Sequence, residues 1–370
     1  MPIVSRTVRR TLASRRAEKR VTYHLAQSTD ADAFIPQRSA AFSPQPDAGK
    51  AALIQKTRDQ SLADAHRRAE GTGGSGKLTG KVGVITGVGP AIGIGAAAAR
   101  LFAREGAKHL YLLDYSDAHL STFTDSLRKT FPSVKFTNIK ADAASSTAIE
   151  ELVAGVLQEE GHLDFFFANA GIVAPPLAKA ESSSAGDNIL RDLQYAARNV
   201  DQIPGEEFVE VMRVNALSAF LAVKYASVAM AKTCPDGGKT IPGGSIILTA
   251  SIAGLKANAG PTPYSASKAA VASIAQTSAY ALTGQNVRVN AVCPGLIQTD
   301  MTRAAFDLAE KVGKQDKIGT LNPLLRQGLG AEVAQLALFL ASDDSSYVNG
   351  QQIGVDGGLT AGVPFIRPKL

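Results

Sequence analysis

From Lys77 onward the chain alternates between short apolar runs and longer stretches whose apolar residues recur at helical spacing. The runs KVGVIT, HLYLLD, VKFTNI, LDFFFA, GSIILTA, VRVNAV and QQIGV have strand length and are rich in β-branched and aromatic residues. Segments such as AAAARLFAREG, AIEELVAGVLQEE and SKAAVASIAQTSAYAL separate most of them and read as helices. Apolar runs with little alternation are the mark of strands buried on both faces. The pattern therefore predicts an α/β, doubly wound domain around a seven-stranded, mainly parallel sheet. The polar segment SSSAGDNILRDLQYAARNVDQIPGEE, about residues 182–207, interrupts the alternation and reads as an insertion. Residues 1–76 do not join it at all. They are rich in Arg, Ser, Ala and Gln, are broken by PQRSAAFSPQP, and end in the flexible GTGGSG. The predicted division is a basic, low-order extension over 1–76 and an α/β domain over 77–370.

Composition narrows the class. With 370 residues, 45% hydrophobic and 19% charged, the chain can bury a sizeable core. No apolar run approaches the ~18 residues of a membrane span, so no transmembrane segment is expected. Cys234 and Cys293 share no metal-ligand or redox spacing, so neither a disulfide framework nor a metal site is expected. The net charge of +6 is carried by residues 1–76, which hold thirteen basic and seven acidic residues; the remainder is balanced. The predicted α/β domain thus lacks the electrostatic footprint of a nucleic-acid binder. The basic tail alone leaves room for independent binding to nucleic acid or a membrane surface. Its first twenty residues place Val4, Val8 and Leu12 among arginines, as in a mitochondrial transit peptide, while Pro368-Lys369-Leu370 is one residue from the peroxisomal Ser-Lys-Leu. A cytoplasmic location is the default reading, with those two compartments as alternatives.

Candidate chemistry begins at TGVGPAIGIG, residues 86–95, between a predicted strand and a predicted helix. A helix N-terminus offers free N–H groups and partial positive charge to a phosphate, and glycine lets the backbone come close. The spacing does not fit Gly-x-Gly-x-x-Gly. Gly93-Ile94-Gly95 precedes the predicted helix, and two registers compete for the first glycine: Gly87, which closes the strand and is preferred, and Gly89, otherwise a spare in a longer turn. The next run ends in Asp114, where an acid can accept hydrogen bonds from ribose hydroxyls. Tyr115, Ser116, Ala91 and Ile92 supply no cation for a 2′-phosphate, so NAD is the expected cofactor and NADP stays open. Further on, Ser251 ends a strand, and Tyr264 and Lys268 stand at i and i+4 on one helix face. An ammonium beside a phenol favours the phenolate, which equips Tyr264 to exchange a proton with an alcohol or carbonyl oxygen.

These motifs, in this order, resemble the short-chain dehydrogenase/reductases from about Leu78 to Gly362. FANAGI is similar to the family's Asn-Asn-Ala-Gly signature, with Asn169, Ala170 and Gly171 retained; VMRVNALSAF supplies Asn215. The segment NAVCPGLIQTDMT carries Pro294, Gly295, Ile297 and Thr299, and ADA carries Asp142 and Ala143. The resemblance implies a Rossmann-like fold and a catalytic tetrad of Asn215, Ser251, Tyr264 and Lys268. Tyr264 acts as acid or base, Lys268 lowers its pKa and holds the nicotinamide ribose, Ser251 orients the substrate oxygen, and Asn215 holds a relay water. It also implies cofactor contacts at Gly87, Gly93, Ile94, Gly95, Asp114, Asp142, Ala143, Asn169, Ala170, Gly171, Tyr264, Lys268, Pro294, Gly295, Ile297 and Thr299. The implied substrate is a small-molecule alcohol or ketone, and the implied assembly is a homodimer or homotetramer through the helices carrying Asn215 and Tyr264. Three departures stand out: two extra residues in the glycine-rich loop, the insertion, and the extension. The longer loop raises an enoyl reductase as a rival, which the four-residue Tyr264–Lys268 spacing opposes. A cofactor-binding protein without catalysis is the rival from another class.

Overall fold

The computed structural model describes residues 76–89, 92–175, 198–314, 318–319, 321–324 and 326–362, with positions 49, 52, 53 and 56. The chain divides into two units, Met1–Asp47 and Ala48–Leu370, and all elements below belong to the second. Most of the predicted extension lies outside the described residues. So do Pro90 and Ala91, residues 182–197 of the predicted insertion, and the C-terminal Pro-Lys-Leu.

Each predicted apolar run contains a strand. They are β1 (Val82–Thr86), β2 (His109–Asp114), β3 (Lys135–Lys140), β4 (Phe165–Ala168), β5 (Gly244–Thr249), β6 (Val287–Pro294) and, last in the chain, β9 (Gln352–Val355). They form one sheet in the order β3-β2-β1-β4-β5-β6-β9, and every neighbouring pair is parallel. A two-residue parallel ladder pairs β7 (Ile297–Gln298) with β8 (Gly328–Leu329). The direction of winding reverses between β1 and β4, and there the strand ends open a crevice.

Eight α-helices complete the described fold: α1 (Ile94–Arg104), α2 (Leu120–Thr130), α3 (Ser146–Glu160), α4 (Gly205–Met212), α5 (Ser218–Met230), α6 (Thr262–Ala281), α7 (Arg303–Lys311) and α8 (Gly330–Ala341). Alternation along the strands divides the core in two. Phe165 and Phe167 point to the layer of α1, α2 and α8, while Phe166 points to the layer of α3, α5 and α6. Phe102 of α1 meets Phe165 edge-on with centroids 5.3 Å apart. Burying one such ring contributes about 2–3 kcal/mol. Sequence also sets the ends of α3: the Ser145 hydroxyl accepts from Ala148 N, and Gly161 closes the helix at φ 74°. Between α4 and α5 the helix continues through a π-helical turn, Arg213–Leu217, which carries Asn215. The predicted insertion ends in a 3₁₀ turn, Val200–Gln202, and the first residues of α4. Among the described residues, no helix is long and apolar enough to cross a membrane.

Candidate active site

The first strand delivers the glycine-rich loop to the crevice. The Thr86 hydroxyl accepts the N–H groups of Asn169 and Ala170, each at 3.0 Å, tying the end of β1 to the end of β4. Gly87 has φ 73°, and a Cβ there would lie 2.8 Å from Ala170 Cα. A Cβ on Gly95 would run into the Gly87 carbonyl oxygen, so the first turn of α1 presses directly on the loop. Among the described residues no side chain caps α1, which leaves its first N–H groups to a ligand. Gly89 is no spare: its N–H donates to Asp114 Oδ2 at 2.7 Å, and a Cβ there would meet the carboxylate at 2.8 Å. Asp114 Oδ1 accepts from Ser116 N at 3.0 Å. On the other flank, Ile92 N donates to Asp300 Oδ2 at 3.1 Å, and Asp300 N returns a bond to the Ile92 carbonyl at 2.8 Å.

At the far end of the cleft α6 presents Tyr264 and Lys268 one turn apart, with the Lys268 ammonium 5.6 Å from the Tyr264 ring centroid. Lys268 Nζ donates to the Thr249 carbonyl at 2.8 Å, at the end of β5. Burial draws the Lys268 pKa down to about 8. Burial pushes the Tyr264 phenol above its ordinary value, and the neighbouring Ser251 hydroxyl opposes that shift. Ser251 is itself fixed, its Oγ accepting from Ala253 N at 3.1 Å. Asn215 is buried behind them. Its Nδ2 donates to the Ile172 carbonyl (2.8 Å) and Ser267 Oγ (2.9 Å), and its Oδ1 accepts from Ile172 N (2.8 Å). Asn169 clamps the middle, donating to the Gly87 carbonyl at 3.1 Å and accepting from the Thr249 hydroxyl at 3.1 Å.

One cleft of about 400 Å³ gathers every predicted catalytic and cofactor residue except Gly95 and Asn215. Gly95 lies behind Gly87, and Asn215 beneath the surface that Ile172 and Lys268 provide. The cleft also contains Ile92 and Tyr115, and residues the sequence reading passed over: Met301, Thr302, and the pair Glu210 and Arg213. Arg213 donates to Asp142 Oδ2 at 2.7 Å and grips Glu210 in a fork at 2.7 and 2.8 Å. The only signal for that pair is its i, i+3 spacing on a helix. Away from the cleft, His109, Glu159 and Glu160 bring ligand atoms within 4.8 Å of one another. Those atoms are engaged with Lys108, Lys135, Tyr111 and Thr137, as an internal ion-pair network.

The chain therefore has the frame of a dinucleotide-dependent oxidoreductase: a glycine cradle under an uncapped helix, an acid at the end of β2, and a Tyr/Lys pair beside a serine. A family model described as enoyl-(acyl carrier protein) reductase matches residues 87–360. A 3-oxoacyl-(acyl-carrier-protein) reductase of Thermotoga maritima is 36% identical over 287 residues, covering 76% of this chain and 99% of the relative. A mitochondrial borneol dehydrogenase of Lavandula x intermedia is 34% identical, covering 77% and 92%. Levodione reductase, a solved structure, superposes with a TM-score of 0.64 at 28% identity, covering 77% of this chain and all of that one. The chain belongs to the short-chain dehydrogenase/reductase family, whose members are NAD(P)-dependent oxidoreductases.

Proposed function

We propose that the chain interconverts a secondary alcohol and a ketone with NAD(H) as its preferred cofactor. The carrying observation is the placement of Ser251, Tyr264 and Lys268 around one end of the glycine-lined cleft. A bound nicotinamide supplies the hydride in reduction and receives it in oxidation. Ser251 and Tyr264 hold the substrate oxygen between their hydroxyls, and Tyr264 gives up its proton to that oxygen in reduction or takes it in oxidation. Lys268, anchored on the Thr249 carbonyl, sets a cation near the phenol and favours its ionised form. A Cβ on Gly171 would lie 3.0 Å from Asn215 Oδ1 and 3.1 Å from Lys268 Nζ, so glycine there keeps both groups uncovered for a relay water that returns protons to the lysine. Asp114 favours NAD: its carboxylate lines the cleft, Tyr115 and Ser116 are uncharged, and the Arg213 guanidinium is committed to Asp142 and Glu210.

The test is NAD(P)H turnover against a panel of ketones, diketones and 3-oxoacyl thioesters, with Tyr264→Phe beside the wild type. The expected result is NADH preferred over NADPH and at least a hundredfold loss of kcat in the variant. Full activity in Tyr264→Phe overturns the mechanism. The description of the matching family model favours a second reading, reduction of an enoyl thioester. Turnover of a 2-enoyl thioester but of no ketone selects it. A second copy of the chain is the proposed partner, and α4, α5 and α6 the proposed contact.

A further inference from the structure

The dinucleotide reading gives the cleft a direction. A pyrophosphate on the α1 N-terminus leaves one half over β4, β5 and β6, where Tyr264 and Lys268 stand, and the other over β2 and β3. Asp114 at the end of β2 faces the ribose of that second half, and the family resemblance implies that the adenine lies at the residues that follow β3. Those are Asp142 and Ala143, which line the cleft. Asp142 is fixed from two sides. Its Oδ1 accepts from Ala144 N at 2.8 Å, and its Oδ2 accepts from Arg213 Nη1 at 2.7 Å. Arg213 is in turn held by both oxygens of Glu210, so the guanidinium bridges two carboxylates 68 positions apart in the chain and walls the same end of the cleft.

An ion-paired carboxylate only accepts hydrogen bonds. A base presenting an amino group there is matched, and a base presenting a carbonyl oxygen is opposed. We propose that Arg213, braced by Glu210, is a positioning residue that holds Asp142 as the acceptor for the exocyclic amino group of adenine, and so sets base selectivity at this end of the cleft. The proposal rests on the dinucleotide reading above. It adds a role for Arg213 and Glu210, which touch neither the nicotinamide end nor Tyr264.

The experiment is a fluorescence titration of the full-length protein with NADH and with its hypoxanthine analogue, in which a carbonyl replaces the adenine amino group. Wild type is expected to bind NADH about tenfold or more tightly than the analogue. In Arg213→Met that ratio is expected to fall toward one, through weaker NADH binding with the analogue nearly unchanged. Arg213→Lys, which keeps the charge without the fork, is expected to give an intermediate ratio. A merely structural role for Arg213 weakens both ligands alike and preserves the ratio, and that result overturns the proposal. A wild-type ratio near one also overturns it. Should Arg213→Met fail to fold by its melting curve, Arg213→Lys and Glu210→Gln decide alone, and an unchanged ratio in both counts against the proposal. If the wild type binds neither NADH nor NADPH, the dinucleotide reading itself fails, an outcome distinct from the others.

Discussion

Lys268 carries an ammonium into a buried pocket, where the carbonyl of Thr249 receives it. Burial lowers its pKa from 10.5 to about 8. Between those values the unfolded chain, with an ordinary lysine, holds more protons than the folded one, so stability rises with pH across the window. The penalty is complete below pH 8 and fades toward 10.5. Lys239, buried on the carbonyls of Leu163 and Met230, is also drawn down to about 8 and adds to the same slope. Comparison with Lys268→Met isolates one of the two. The variant is expected to be more stable than wild type at pH 7 by about 1–2 kcal/mol, net of an unsatisfied Thr249 carbonyl, and nearly inactive. That advantage should shrink as pH rises from 8 toward 10, read by denaturant unfolding at each pH. A constant difference would show that Lys268 titrates as an ordinary lysine. An apolar side chain of the same length fits the pocket at lower cost, so the proposed role in catalysis is what accounts for a charged group here.

At the scale of elements, the seven sheet strands were legible because strands buried on both faces read as apolar runs bounded by turns. The Tyr264–Lys268 pair was legible because helical periodicity fixes which side chains share a face. What escaped depends on contacts between distant segments. No run announces the ladder of Ile297–Gln298 with Gly328–Leu329, and nothing local marks the π-helical turn that brings Arg213 and Asn215 to different parts of the site. Gly89 was readable as a loop glycine, but not as the residue that packs on Asp114. Asp300 is the clearest case. Its backbone and carboxylate both pair with Ile92, while Arg303 at the start of α7 takes the other carboxylate oxygen. One residue thereby joins the glycine-rich loop to the segment that runs into α7. Asp300→Ala is expected to speed cofactor release about fivefold to tenfold by stopped-flow fluorescence, with little change in melting temperature. An unchanged release rate would mean the link holds no barrier to the cofactor.

For the whole molecule the informative surface is the outer face of the helical stretch from Gly205 to Met230. Val209, Leu217, Phe220 and Val228 recur along it at helical spacing and stay exposed, Phe220 at 50% and Val228 at 63%. A row of large apolar side chains on one helix face is more than scattered surface hydrophobicity and is suited to a self-complementary, two-fold contact. The same helical stretch carries Asn215 on its buried side, so pairing there braces the turn that holds Ile172 and Ser267 behind the Tyr/Lys pair. On the proposed contact, assembly and the proposed chemistry share an element. Because both side chains point to solvent in the protomer, Phe220→Glu combined with Val228→Glu leaves the core intact, and each change costs the fold at most about 0.5 kcal/mol. The double variant is expected to elute later than wild type on size exclusion with light scattering, as a protomer. Its turnover should fall further than its affinity for NADH, since the cofactor cleft is built within one chain while the Asn215 turn loses its brace. If the double variant keeps the wild-type mass, or if wild type is already a single protomer, this face is not the contact.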